Sequence, residues 1–184
     1  VFNMRGGVTE NCSRAVIADS GATFHMFDGE IKDCKVNSDG VILVNGESKF
    51  IMDGGTISGC EAEAGGGLYA DNSTVTINNG TISGCTAVDD GGGLYAKNKS
   101  TINITDGIIS GCEGRWGGGL YAENSSTITI SGGTISGCTV GAGGGLFVDR
   151  STVRISGGII SGCITSDTGN GGGFYANNST IKIT

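Results

Sequence analysis

Seven cysteines, Cys12, Cys34, Cys60, Cys85, Cys112, Cys138 and Cys163, follow one another at intervals of 22, 26, 25, 27, 26 and 25 residues. Thiols repeated in this way can pair as disulfides, hold a soft metal, or pack as small hydrophobes. Zinc is not expected, because the chain has one histidine and no Cys-x-x-Cys pair. A second set, Tyr69, Tyr95, Tyr121, Phe147 and Tyr175, recurs with the same spacing and continues as Leu43 and Ile17. Facing outward, it makes an apolar stripe suited to stacking on glycans or on another protein; covered by loops, it is packing.

The remaining candidates for chemistry are sparse. A polysaccharide-cleaving enzyme needs paired carboxylates or an acidic calcium cluster with a base nearby. Here Asp89 and Asp90 share one loop, while Asp28, Glu30, Asp33 and Asp53 are scattered. All read as solvated turn residues. His25 lacks a recognisable nucleophile partner. No enzyme activity, catalytic residue, cofactor or metal is therefore expected, and a lyase or hydrolase is a minor alternative. Rows of threonine (Thr74, Thr101, Thr127, Thr152, Thr180) suggest ice binding, but Arg154 and Lys182 break the neighbouring row. Asn-x-Ser/Thr triplets begin at Asn11, Asn72, Asn79, Asn98, Asn103, Asn124, Asn177 and Asn178. In a secreted eukaryotic protein these are candidate glycan acceptors.

These residues recur because the whole chain repeats. Gly55-Thr56-Ile57-Ser58-Gly59-Cys60 returns at 80–85, 107–112, 133–138 and 158–163, and more faintly at 29–34 and 7–12. Each copy continues with a Gly-Gly-Gly-Leu-Tyr-Ala block and then Ser-Thr-Val/Ile-x-Ile. The third block alternates, with Val75 and Ile77 facing in and Thr74 and Thr76 facing out. The same period puts Ile57, Leu68 and Ala70 inward and Tyr69 outward. Three short β segments per copy are predicted, with no segment of helical length.

One copy of about 26 residues cannot fold alone. A few buried aliphatic groups, at about 1.5–3 kcal/mol each, do not offset about 1–2 kcal/mol of backbone entropy per residue. Stacked copies share a core and pair their strands in parallel. The fold class is therefore all-β: a right-handed single-stranded parallel β-helix of about seven coils and three strands per coil, roughly 34 Å long at about 4.8 Å per coil. The complete lack of proline fits, since each N–H is needed by a neighbouring coil. At that spacing adjacent cysteines fall within disulfide range, and pairs Cys12–Cys34, Cys60–Cys85 and Cys112–Cys138 would each contribute about 3 kcal/mol. Buried free thiols are the alternative.

At Gly66-Gly67-Leu68-Tyr69 and Ile57-Ser58-Gly59-Cys60 the chain resembles the polymorphic outer membrane protein repeats of bacterial autotransporters. Those carry a Gly-Gly-Ala-Ile-like block and a Phe-x-x-Asn block. Isoleucine here stands for Phe, and cysteine for Asn in every coil. The resemblance implies a right-handed β-helix passenger region at a cell surface, acting in adhesion.

Composition narrows the partners. Lys and Arg total 11 against 18 Asp and Glu, which argues against nucleic acid. No apolar run is long enough to span a bilayer. Residues 1–184 form one β-helix domain, expected to be a segment of a longer solenoid or a subunit stacking into filaments. The leading expectation is a non-enzymatic extracellular or cell-surface rod, structural or adhesive. Its expected partners are further copies end to end or side by side, host or matrix proteins, or surface glycans. Glycan binding through the aromatic stripe is the alternative.

Overall fold

In the computed structural model, which describes residues 1–166 and 170–184, the chain winds into stacked coils of parallel strands, with no helix among the described residues. Three sheets run along the stack, of 13, 7 and 5 strands. In a middle coil the strand Thr56–Ser58 is followed by Glu61–Ala62, Leu68–Asp71 and Thr74–Ile77. The middle coils thus hold four segments rather than three. The extra one is the short ladder after each cysteine, two to four residues long, with too little alternation to show in the sequence.

Register follows the repeat without slippage in the central coils. Leu68 lies beside Leu94, Leu94 beside Leu120, and Leu120 beside Leu146. Ile57, Ile82, Ile109, Ile135 and Ile160 form a second row, and Val75, Ile102, Ile128 and Val153 a third. These rows fill one continuous core, in which Ile57, Leu68, Ala70, Val75, Ile82 and Leu94 are wholly buried. A period of two and β-branched side chains account for the arrangement: apolar residues enter the core while Thr and Ser take the solvent face.

The threonine-bearing and isoleucine-bearing ladders are joined as one 13-stranded sheet near the N-terminus. There the strand Thr23–Lys32 turns the corner without interruption, pairing with Lys49–Met52 at one end and Thr56–Ser58 at the other. Phe2, Phe24 and Phe50 stack through this region with ring centroids 5.4 and 5.5 Å apart. Later coils break the corner at glycines such as Gly80 and Gly133, where φ is +107° and +80°.

Candidate functional site: four columns on the coil stack

All seven cysteines occupy one column and all are free thiols. The expected disulfides are absent. In a parallel ladder the side chains leave the backbone in the same direction, so Cβ separation stays near the ~4.8 Å coil rise, beyond the ~3.8 Å mean of a disulfide. Six of the thiols, from Cys34 to Cys163, instead take the same orientation, toward the carbonyl two residues earlier. Cys60 Sγ lies 3.4 Å from Ser58 O, Cys85 3.5 Å from Ser83 O and Cys112 3.4 Å from Ser110 O. Burial pushes the Cys34 thiol up to about 12. The neighbouring thiols Cys112 and Cys60, with burial, hold Cys85 well above its ordinary value.

The glycine block and the cysteine column form one packing unit. A Cβ on Gly93 would lie 3.3 Å from Cys112 Sγ, 2.9 Å from Ile109 Cγ2 and 2.6 Å from the carbonyl oxygen of Gly119. Gly67 stands in the same relation to Cys85, and Gly119 to Cys138. The third glycine of each block is therefore the bed on which the next coil's thiol rests.

The aromatic column is a stack. Ring centroids of Tyr69–Tyr95, Tyr95–Tyr121, Tyr121–Phe147 and Phe147–Tyr175 lie 5.0, 5.1, 5.0 and 4.7 Å apart. The exposed stripe expected from the sequence is not exposed: Tyr69, Tyr95, Tyr121 and Phe147 retain only 3–8% of their surface. The rings leave the main core on its outer side but are packed with Ala64 and Ala142, and Trp116 meets Phe147 edge-on at 5.3 Å. The glycine-rich loops allow this cover, because Gly91, at φ +66°, brings backbone against Tyr95 Cβ. Leu43 is half-buried against the column, whereas Ile17 is exposed. The Tyr95 hydroxyl donates to Glu123 Oε1 at 2.6 Å. Burial, reinforced by Glu123, holds its phenol far above the usual value.

Two acidic groups do not behave as solvated turn residues. Asp53 Oδ2 lies 2.6 Å from His25 Nε2, while its Oδ1 accepts from Asn78 Nδ2 at 2.8 Å. The Asn78 and His25 hydrogen bonds hold the Asp53 carboxyl below its ordinary range. His25 also stacks on Phe27 at 3.7 Å, whose ring carries the Arg5 guanidinium at 4.3 Å. His25 thus has a carboxylate partner that the sequence concealed. Asp90 is the opposite case: burial, with Asp89 and Glu123 nearby, raises it to about 6, and its Oδ1 is buried without a hydrogen-bond partner. Asp28 and Asp33 remain exposed, as expected, and Glu30 pairs with Lys32 at 3.3 Å.

The serine that opens the third block of each coil forms a further, buried column. Ser48, Ser73, Ser100, Ser126 and Ser151 are buried where each coil turns into its threonine strand. Ser100 Oγ donates to Lys97 O at 2.6 Å and accepts from Ser73 N at 3.2 Å, so one hydroxyl serves two coils. Two residues before Ser100 and Ser126 stand Asn98 and Asn124; with Asn72 and Asn178 they have φ between +46° and +55°, which asparagine tolerates. Several Asn-x-Ser triplets are therefore corner geometry written in residues. The signal is a serine preceding the strand threonine in every coil from Ser73 onward. Of the other triplet asparagines, Asn79 Oδ1 accepts from Gly80 N at 2.7 Å, Asn103 lies outward on the threonine face, and Asn11 and Asn177 are exposed. Among the described residues no group of three or more His, Cys, Asp or Glu is arranged to hold a metal ion.

In-register parallel coils around one apolar core define a parallel β-solenoid. The profile of the family described as right-handed β-helix region matches residues 7–156, and the chain belongs to that family. No curated protein and no solved structure matches it.

Proposed function

We propose that this β-helix is a non-enzymatic structural or adhesive rod, working outside the cell or at its surface, and that it extends by adding coils at its ends. The observation that carries the reading is the state of those ends. Phe2 and Ile183 continue the core rows of Phe24 and Ile155, yet they are 64 and 67% exposed where those neighbours are 1 and 9%. The N-terminal face holds a hollow of about 450 Å³ lined by Phe2, Val16, Ile17, Ala18 and Phe24 among others. Each end is also a strand edge with free backbone groups, a template for another parallel coil. Further coils of a longer chain and a second copy stacked head to tail present the same chemistry. The resemblance to polymorphic outer membrane protein repeats supports the surface setting.

Sedimentation and negative-stain microscopy test the reading. The chain is expected to associate end to end as concentration rises, and a double variant, Phe2→Glu with Ile183→Lys, is expected to remain single. Equal association of parent and variant, or discrete monomers of the parent at high concentration, would sink it. Glycan recognition through the aromatic column is the weaker alternative, since stacking on a sugar needs an open ring face and these rings are covered.

A further inference from the structure

In the tyrosine column the Asp39 carboxylate acts on the Tyr69 hydroxyl, and the Tyr95 hydroxyl makes the short, direct bond to a carboxylate. Tyr95 is sandwiched between Tyr69 and Tyr121, with interplanar angles of 25° and 11°. Its hydroxyl donates to a carboxylate oxygen, Glu123 Oε1, at 2.6 Å, within the range of charge-assisted O–H···O⁻ bonds. Tyr69 carries the Lys97 ammonium over its ring at 5.0 Å, and that ammonium is itself paired with Asp71 at 3.6 Å. Phe147, which has no hydroxyl, separates Tyr121 from Tyr175 and closes the three-tyrosine run.

From this arrangement we propose that Tyr95 is a one-electron oxidation site, with Glu123 as its built-in proton acceptor and the flanking rings as partners sharing the hole. The co-reactant is a one-electron oxidant such as a high-valent metal complex or a peroxyl radical. The oxidant gains one electron from the phenol. The Tyr95 O–H bond breaks and its proton passes to Glu123 Oε1. A neutral tyrosyl radical is left beside a neutral carboxylic acid, and an electron returned by a one-electron reductant reverses both transfers. Burial serves the site, since a radical with 7% of its surface exposed is kept from coupling with another molecule.

The test is flash-quench oxidation of the full chain with a ruthenium polypyridyl sensitiser and persulfate, following the tyrosyl radical by transient absorption and spin resonance. The parent is expected to show a fast phase that Tyr95→Phe abolishes and that Tyr69→Phe and Tyr121→Phe leave in place. Phe147 already occupies this column, so Phe at 95 suits the fold, and circular dichroism checks it. Glu123→Gln is expected to slow the fast phase by about 10- to 100-fold, the range that loss of one charge-assisted hydrogen bond implies. A fast phase that survives Tyr95→Phe, or a rate unchanged by Glu123→Gln, overturns the assignment.

Discussion

The thiol column allows a direct statement at the level of single residues. Cys34, Cys60, Cys85, Cys112 and Cys138 are buried, whereas Cys12 and Cys163 are half-buried at the two ends of the row. In the native protein a thiol reagent is expected to modify Cys12 and Cys163 quickly and the five interior positions only after unfolding. Electrophoretic mobility should be the same with and without reductant. Rapid labelling of all seven, or a mobility difference, would contradict the packing described here. Gly93→Ala should cost about 1–3 kcal/mol, because the added methyl must displace the Gly119 carbonyl and crowd Cys112. Chemical denaturation measures that cost directly.

The two perturbed carboxyls act on stability in opposite senses. Asp53 is held below its ordinary range, so its stabilisation is complete above the unfolded value, about 3.9, and fades as acid reaches its folded value. Asp90, raised to about 6, takes up its proton earlier in the folded chain than in the unfolded one. Stability attributable to Asp90 therefore falls as pH rises from about 4 to 6 and stays low above that. Asp90→Asn is expected to raise the denaturation midpoint at pH 7.5 and leave it little changed at pH 4. A variant no more stable than the parent at pH 7.5 would show that the buried, unpartnered oxygen is not a burden.

Among elements, the strands were legible and their cover was not. Periodicity alone placed Val75, Ile77, Ile57 and Leu68 inward, because a period of two leaves a strand one way to face. It also turned Tyr69 away from the main core, and that orientation holds. Alternation is silent on what lies above the outward face, so the roof of glycine-rich loop over the rings had no signature. The short ladder Glu61–Ala62 and its successors were missed for a related reason: two residues do not establish a period. Cysteine spacing gave the column but not the Cβ directions, which decide between a bridge and a stack of thiols. His25 met Asp53 across neighbouring coils, 28 residues apart, a relation that becomes visible only when the winding is known.

For the whole molecule, stability is nearest-neighbour: each coil rests on the one before and supports the one after. Truncation of a central core residue removes contacts with two coils, whereas truncation in the last coil removes contacts with one. Leu94→Ala is expected to cost about 2–5 kcal/mol in thermal or chemical unfolding, and Phe174→Ala distinctly less despite the larger side chain, since Leu94 is wholly buried and Phe174 is not. Equal losses would argue against a core graded along the stack.

The ladder bonds that join one coil to the next, such as Thr86 N to Cys60 O at 2.8 Å and Glu113 N to Cys85 O at 2.9 Å, run along the long direction of the stack. Tension on the chain ends meets them one after another at the outermost turn, as a thread meets stitches. Yielding then proceeds turn by turn from the extremities, each step releasing about 25 residues, or roughly 85 Å of slack at about 3.4 Å per residue. A molecule so built is stiff at rest and, under load, lengthens in measured increments.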